Sequence, residues 1–397
     1  MTAANPQASK ATMEEVMNPS SGPRVFVLDA SHGAPHEIPY ALACERAGQR
    51  ATAAAVPGAW PALAVALRAH GAEAVLLMAA ASTPAPHPHW LDAEHARGWV
   101  TPGPGADLDA DRLRTAWQTQ FALGHVPADA ALLAWPALPG LSWGTAPPGA
   151  SMPPKAARPG TAAPLGLYGI ADHAAALRRM LEAGVRTVQL RIKRPADADA
   201  AWTAALRAAI RESMAAADAH GAQLFINDHW RLAAECGARA VHLGQEDLLA
   251  LDAASWAEFR ASGLCLGVSS HAVWELCRAR SLAPQYIACG PVWPTTTKDM
   301  PWRPQGLDNL AWWCHVAGAP VVAIGGILAP EQVRQTAAAG ASGVCVLRGL
   351  GSDPRLTVAV LQQAFAEGRQ EAADRAGGPV VPLHPTLGRT YRSGHAS

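Results

Sequence analysis

Two acidic residues follow strand-like segments in the C-terminal half of this 397-residue chain. Asp228 comes directly after the apolar segment 224–227, and Asp247 follows soon after the segment 240–243. Carboxylate oxygens at neighbouring strand ends, with the Asn227 amide beside them, suit a hard cation such as Mg²⁺. An Asn-Asp pair in front of a helix is also common as a helix cap or a turn, so the pattern predicts a metal site, a capped helix or a turn.

A second set of polar side chains alternates along one strand-like segment. Gln189, Arg191 and Lys193 alternate with Leu190 and Ile192, and alternate residues of a strand point to the same face. A strand buried in a parallel sheet should be apolar, and two cations there are costly unless they meet an anion. We expect this face to bind phosphate groups, although a strand end that enters a solvated loop gives the same pattern.

Further candidate phosphate ligands lie in three later loops. Thr295, Thr297 and Lys298 follow a Gly-Pro turn and offer hydroxyl and ammonium donors. A glycine pair that begins at Gly325 precedes a predicted helix, where backbone N–H groups can approach an anion, and Arg348 follows the next strand-like segment. The three loops and the cationic strand face predict two anion-binding regions, and therefore two phosphorylated reactants, around the acidic pair.

Ser269, Ser270 and His271 stand together after another strand-like segment. A serine beside a histidine suggests nucleophilic catalysis, but no strained elbow and no separate acid accompany the pair. Helix capping by one of the two serines is the commoner role for this pattern.

Eight short apolar segments alternate with helix-like segments between residues 165 and 371. Repeated strand–helix units imply parallel strands with right-handed crossovers, and eight of them in about 200 residues indicate a compact (β/α)₈ TIM barrel. A doubly wound open sheet is the alternative. In a TIM barrel the functional residues lie at the carboxyl ends of the strands, where the polar residues above occur. The strand candidates are residues 167–171, 187–191, 224–227, 240–243, 265–268, 286–289, 321–324 and 343–347.

The rest of the chain is divided by composition. Residues 1–23 are expected to be a disordered leader, 24–134 a smaller α/β region, 135–164 a Pro/Gly-rich linker, 165–375 the barrel and 376–397 a flexible tail.

Within the smaller α/β region, strands are expected at 24–29 and 74–78 and one amphipathic helix at 111–125. Four histidines in this region, at positions 32, 36, 87 and 89, could indicate metal binding, but such loose spacing is more typical of surface histidines, which is the interpretation preferred here.

Composition narrows the class of protein. The chain has 32 basic and 32 acidic residues, so its zero formal charge gives no reason to expect nucleic acid or an anionic membrane as a partner. Its seven cysteines form no C-x-x-C pair, and several lie in apolar segments as small core residues. No run approaches the roughly 20 apolar residues of a membrane span. We expect a soluble cytoplasmic protein that acts on small molecules; its oligomeric state is not predicted.

Residues 165–350 resemble the thiamine-phosphate synthase family. The resemblance is carried by VQLRIK, FINDHWRLAAECGARAVHLGQEDL, LGVSSH, YIACGPVWPTTTKDMPWRPQGL, VVAIGGI and GVCVLRGL, in this order. It implies a barrel transferase that joins hydroxymethylpyrimidine pyrophosphate to hydroxyethylthiazole phosphate, releasing pyrophosphate and forming thiamine phosphate in thiamine biosynthesis. Whether the thiazole is carboxylated stays open.

The resemblance also implies roles for single residues. Asp228 and Asp247 would bind Mg²⁺, and Gly325 would give a backbone N–H to the thiazole phosphate. The pyrimidine and its pyrophosphate would be held by Gln189, Arg191, Lys193, Asn227, Ser269 and Lys298. Thr295 and Thr297 would lie on the thiazole phosphate side. The residues closest to the chemistry would be Ser269, Lys298 and Arg191.

Two residues depart from the family pattern. Arg348 stands where the family often has serine, and Ser270 replaces a more usual threonine. An arginine at 348 would either clamp the thiazole phosphate or point away from it.

Three other interpretations remain open. In the first, the barrel is related to thiazole tautomerases or is a regulator, and does not catalyse the synthase reaction. The region 24–134 faintly resembles a pyrimidine kinase without its glycine-rich anion loop, which favours a degenerate, non-catalytic domain. A binding or scaffold role for the whole chain would rest on that region alone.

Overall fold

The computed structural model describes residues 23–50, 57–79, 89–102, 109–136, 138, 141–144, 165–295, 301–374 and 383–388. The chain divides into two compact units, one formed by Met1–Met152 with Gly388–Ser397 and the other by Pro153–Leu387. The expected leader lies outside the described residues. Among the described residues, no helix combines the length and the apolar character needed to cross a membrane.

The N-terminal unit is built on one antiparallel sheet of six strands in the order β2-β1-β3-β4-β5-β6. Its strands are β1 (Arg24–Asp29), β2 (His36–Ile38), β3 (Ala72–Met78), β4 (His89–Ala93), β5 (Arg97–Thr101) and β6 (Ser142–Gly144). Its helices are α1 (Tyr40–Arg46), α2 (Trp60–Ala69), α3 (Ala110–Ala122) and α4 (Pro127–Leu133). Apolar side chains of β1 and β3, such as Val25 and Leu77, pack with Leu63 and Leu67 of α2 in a buried cluster.

Sequence reasoning misplaced three features of this unit. The helix expected at 111–125 ends at Ala122, because Gly124 takes a positive φ of 101° and Pro127 then begins α4. The expected linker begins too early, since Trp143 is buried in β6, which pairs with β5. His89 is not a surface residue: it is buried and accepts a hydrogen bond from the backbone of Ala79 at 3.2 Å.

The second unit is the expected TIM barrel. Eight parallel strands close in the order β10-β11-β12-β13-β14-β7-β8-β9, with helices between successive strands. The strands are β7 (Gly166–Ala171), β8 (Thr187–Leu190), β9 (Gln223–Asn227), β10 (Ala240–Leu243), β11 (Cys265–Ser270), β12 (Tyr286–Cys289), β13 (Val321–Ala323) and β14 (Gly343–Val346). The helices are α5 (Ala174–Glu182), α6 (Ala200–Ala219), α7 (Trp230–Glu235), α8 (Gln245–Leu249), α9 (Ala253–Ala261), α10 (Val273–Ser281), α11 (Gly306–Val316), α12 (Pro330–Ala338) and α13 (Val358–Asp374).

Aromatic side chains fill the barrel interior. Tyr168, Phe225 and Tyr286 are buried, and the Phe225 and Tyr286 ring centroids lie 5.0 Å apart. Gly267 pairs with Tyr286 across β11 and β12, and a Cβ at position 267 would overlap the tyrosine ring. The absent side chain on β11 therefore makes room for the phenol, as the alternation of inward residues in a barrel requires.

Part of the expected flexible tail packs on the barrel. Residues 383–387, here called the C-terminal strap, bury Leu387 and form a bridge between it and Trp302. The backbone N–H of Arg303 donates to the Thr386 carbonyl at 2.9 Å. The strap is thus bonded through its backbone to the loop between β12 and α11.

Candidate active site

The carboxyl ends of the barrel strands open into a cavity of about 490 Å³. Ten of the expected site residues line it: Gln189, Arg191, Lys193, Asn227, Asp228, Asp247, Ser269, Thr295, Gly325 and Arg348. Thr297 and Lys298 lie outside the described residues. The barrel topology therefore brings together side chains that are up to 159 positions apart between Gln189 and Arg348.

The cationic face differs in one respect from the expectation. Strand β8 ends at Leu190, so Gln189 is buried inside the barrel while Arg191 and Lys193 are exposed in the following loop. The two cations thus lie in a solvated loop and not on the strand. Both nevertheless line the cavity, so phosphate binding by these residues stays a prediction.

The acidic pair lies beside one of these cations. Lys193 Nζ forms an ion pair with Asp228 Oδ2, and Asp228 adopts a positive φ of 62°. The N-cap residue of α7 is His229, so the capping interpretation of Asp228 is wrong. Backbone strain at a non-glycine residue is typical of functional sites, since the fold must hold it in place.

Asp247 has a structural contact as well as the cavity-facing position. Its Oδ2 accepts a hydrogen bond from the Gly244 backbone at 2.9 Å, which ties it to the start of α8. Burial and the neighbouring carboxylate of Asp228 raise the pKa of Asp247. Two carboxylates that face each other in this way are stabilised by a cation between them.

Asn227 presents a buried polar group to the same part of the cavity. The side chain is 4% exposed, and its Nδ2 has no hydrogen-bond partner among the described residues. A buried amide donor without a partner costs free energy unless a ligand accepts from it. The atom therefore indicates a ligand acceptor near the acidic pair.

A continuous chain of hydrogen bonds crosses the barrel beneath the cavity. Gln189 Nε2 donates to the Tyr168 hydroxyl at 3.0 Å, which lies 2.7 Å from the Tyr286 hydroxyl. The Tyr286 hydroxyl lies 2.7 Å from His242 Nδ1, and His242 Nε2 lies 2.8 Å from Ser269 Oγ. This arrangement, here called the polar chain, begins at one cavity-lining residue and ends at another.

Gln189 Nε2 donates into the polar chain at the Tyr168 hydroxyl. The hydroxyls of Tyr168 and Tyr286 can each donate or accept, so the distances are compatible with Tyr168 donating to Tyr286 and Tyr286 donating to His242 Nδ1. Burial lowers the pKa of His242 to about 4, so the ring is neutral at pH 7 and carries one proton. In the tautomer with that proton on Nε2, His242 donates to Ser269 Oγ, and the serine proton is then available to a ligand.

The two serines at the end of β11 do not cap a helix. The N-cap of α10 is Ala272, without a side-chain cap. Ser270 Oγ accepts from Trp313 Nε1 at 2.9 Å, and the Ser269 carbonyl accepts from Gln245 Nε2 at 2.6 Å. The buried surroundings thus fix both the backbone and the hydroxyl of Ser269.

Glycine conformation shapes the opposite wall. Gly325 and Gly326 have positive φ values of 96° and 71°, and a Cβ at either would overlap the loop after β12. Arg348 begins a 3₁₀ turn after β14, is exposed and lines the same wall. The wall therefore combines two tightly packed loops with a guanidinium group.

Comparison with known proteins decides the family. The family described as thiamine monophosphate synthase matches residues 167–350. The thiamine-phosphate synthase of Neisseria meningitidis serogroup A is 46% identical over 202 residues, which are 50% of this chain and 94% of the relative. The chain belongs to the thiamine-phosphate synthase family.

Other members of the thiamine-phosphate synthase family match over the same half of the chain. The relative from Rhizobium etli is 45% identical over 189 residues, which are 47% of this chain and 87% of the relative. A solved structure, the thiamine phosphate pyrophosphorylase from Pyrococcus furiosus, is 27% identical, with a TM-score of 0.44. It covers 51% of this chain and 96% of that one.

Sequence reasoning missed the interior of this thiamine-phosphate synthase barrel. Tyr168, His242 and Tyr286 are inward strand residues that a sequence pattern assigns to the core. Only the strand register shows that their polar atoms meet. The alternation of Tyr286 with Ile287 was an available signal that the phenol points inward.

Proposed function

We propose that the barrel condenses hydroxymethylpyrimidine pyrophosphate with hydroxyethylthiazole phosphate, forming thiamine phosphate and releasing pyrophosphate. The observation that carries the proposal is the meeting of Asp228, Asp247, Arg191 and Lys193 at one cavity in a chain of this family. The cavity volume of about 490 Å³ suits a site for small molecules.

Asp228 and Asp247 would hold Mg²⁺, and Asn227 lies beside them. The fit rests on the facing carboxylates and on the raised pKa of Asp247, since oxygen ligands and concentrated negative charge are what a hard cation requires. When bound, the ion would neutralise charge on pyrophosphate and so make it a better leaving group.

The chain's own cations complete the pyrophosphate site. Arg191 and Lys193 provide charge-assisted hydrogen bonds from the loop after β8, and Lys298 is proposed to add a third cation. Asn227 Nδ2, buried without a partner among the described residues, would donate to the same group. Bond cleavage then leaves a methylene cation that the aminopyrimidine ring delocalises.

The polar chain would orient the pyrimidine. With Gln189 Nε2 donating to Tyr168, its amide oxygen is an acceptor for the exocyclic amino group. Ser269 at the other end donates its proton to a ring nitrogen. An aminopyrimidine has that pairing of donor and acceptor, so both ends of the polar chain would recognise it.

The wall that contains Gly325 and Arg348 would bind the thiazole phosphate, with Thr295 and Thr297 beside it. The guanidinium of Arg348 favours an anion, and Gly325 lines the same cavity with a backbone N–H that can donate to one. Held there, the thiazole nitrogen would lie near the reacting carbon. The chemistry is then mainly positioning and charge stabilisation, without a general base.

The test is turnover by the full chain. Purified protein with both substrates and Mg²⁺ is expected to release thiamine phosphate and pyrophosphate in equal amounts, measured by chromatography and a phosphate-release assay. Asp247→Asn, which is close to isosteric, is expected to remain folded by circular dichroism and to require more Mg²⁺.

A folded full-length chain that makes no thiamine phosphate would contradict the proposal. If that chain interconverted the carboxylated thiazole tautomers instead, the tautomerase interpretation would replace it.

A further inference from the structure

Three potential metal ligands converge in the N-terminal unit, outside the barrel. Asp29 ends β1, His32 lies in the turn that follows, and His36 begins β2. Val27 pairs with His36 in the register of the β1–β2 hairpin, which returns the chain to Asp29. One ligand atom from each of the three side chains lies within 4.8 Å of the others.

The distances place nitrogen and oxygen atoms around one point. His32 Nδ1 is 2.9 Å from Asp29 Oδ1, and His36 Nε2 is 3.7 Å from Asp29 Oδ2. A metal bound tetrahedrally at roughly 2.0–2.2 Å to such ligands separates them by about 3.3–3.6 Å. The observed spacings lie on either side of that range, so small side-chain rotations are sufficient.

The hairpin also prepares the ligand atoms. His36 Nδ1 lies 3.5 Å from the Ala34 carbonyl, which favours a proton on Nδ1 and a lone pair on Nε2. Ser31 Oγ and the His32 backbone donate to Asp29 Oδ1 at 2.7 and 3.0 Å, and these bonds hold the carboxylate in place.

The two imidazole rings lie close together in a tilted arrangement. Their ring centroids are 3.8 Å apart and their planes are inclined by 30°. His36 is partly buried and His32 is exposed, so one side of the cluster remains open to solvent. Two imidazoles and one carboxylate with an open side are a ligand set for borderline divalent metals, not for Mg²⁺.

We propose that Asp29, His32 and His36 bind a borderline divalent transition metal, such as Zn²⁺, with open coordination positions towards solvent. The ion would link the end of β1 to the start of β2 across the turn at Gly33. Because the folded hairpin assembles the ligands, binding would stabilise the N-terminal unit by mass action.

The test uses Zn²⁺ and the full-length, untagged chain with excess Mg²⁺ to occupy the barrel carboxylates. Calorimetric titration is expected to show one Zn²⁺ per chain, and thermal unfolding should shift upwards with Zn²⁺. His32→Ala and His36→Ala are each expected to weaken binding by at least about tenfold and to abolish the thermal shift.

His173→Ala is the matched control. His173 forms an exposed pair with Asp172 at 2.6 Å, like that of His32 with Asp29, and the described residues place no second histidine in that pair. It should leave Zn²⁺ binding unchanged. His36→Gln, which keeps a polar side chain on β2, covers the case in which His36→Ala fails to fold.

The proposal would be overturned if folded His32→Ala and His36→Gln proteins bound Zn²⁺ with unchanged stoichiometry and affinity. The ion would then belong to another site, such as the free cysteines. A loss in His173→Ala equal to that in the two hairpin variants would do the same.

Discussion

At the residue scale, the hydroxyl of Ser269 depends on side chains that it does not touch. Tyr286→Phe should interrupt the polar chain by removing the hydroxyl that contacts His242 Nδ1, so that neither the His242 ring nor the Ser269 hydroxyl bonded to it is held from that side. Loss of one or two such hydrogen bonds costs about 1–2 kcal/mol of transition-state stabilisation. The value of kcat/KM should therefore fall on the order of tenfold, with a higher KM for the pyrimidine substrate.

Tyr168→Phe is the matched control for that experiment. It removes the hydroxyl next in line but leaves Tyr286 able to donate to His242, so its effect on kcat/KM should be smaller. Equal losses in the two steady-state measurements would mean that the rings contribute by packing and not through the direction of the polar chain.

The buried imidazole also predicts how stability depends on pH. The pKa of His242 is lowered to about 4 in the folded barrel. Between that pH and the ordinary histidine pKa, the imidazole is protonated in the unfolded chain and neutral in the folded chain. Stability should therefore decrease as pH falls from about 6.5 to 4, by on the order of 3 kcal/mol from this group. Urea unfolding of wild type and His242→Gln across this range checks it: the variant should show the smaller pH slope, and parallel slopes would exclude His242 as the source.

Arg348 gives a prediction about one substrate only. Arg348→Ser replaces a guanidinium on the phosphate wall by a weaker donor, so a charge-assisted bond of about 1.5–3 kcal/mol is lost. The KM for thiazole phosphate should rise on the order of tenfold to a hundredfold, while that for pyrimidine pyrophosphate and kcat change little. Unchanged KM values in steady-state kinetics would place the guanidinium outside the phosphate site.

At the element scale, the C-terminal strap holds the loop that contributes Trp302 to the cavity. His384 and Asn309 exchange two hydrogen bonds, at 2.7 and 3.0 Å, and the Trp302 ring stacks on His271 with centroids 5.3 Å apart. The strap is therefore expected to order the loop after β12, on which Thr295 lies.

Ending the chain after Asp374 removes the strap and should raise the KM for thiazole phosphate by about tenfold, the equivalent of one or two hydrogen bonds. A chain ending after residue 388 retains the strap and serves as the control. Indistinguishable KM values for the two shortened chains, both folded, would show that the loop is ordered without it.

Element positions in the barrel followed from apolar periodicity, because each strand is short, buried and bounded by a turn. Strand β12 was predicted at its observed bounds, and the predicted β8 was one residue longer than the observed strand. The strap was not predictable, since its polar and proline-bearing sequence has no periodicity and its burial depends on the loop it meets. The convergence at Asp29 was hidden for a similar reason: it depends on the register of a hairpin.

At the scale of the whole molecule, the barrel closes without the N-terminal unit. All eight strands lie between Gly166 and Val346, and β14 pairs with β7 to complete the ring. A chain that begins at Thr161 is therefore expected to fold and to make thiamine phosphate within several-fold of the full-length rate. Circular dichroism and turnover check it together; a folded but inactive shortened chain would assign the N-terminal unit a part in catalysis.

The close packing of Gly267 against Tyr286 restricts how this sequence can change over time. Any side chain at 267 displaces the phenol, and removal of the phenol alone breaks the polar chain and leaves a hole in the barrel. A larger residue at position 267 can therefore be accepted only after residue 286 has become smaller. The protein with only that first substitution has a cavity in the barrel and a Ser269 hydroxyl that is no longer oriented. Positions 267 and 286 therefore constrain each other during evolution. The order in which they mutate decides whether the enzyme stays active.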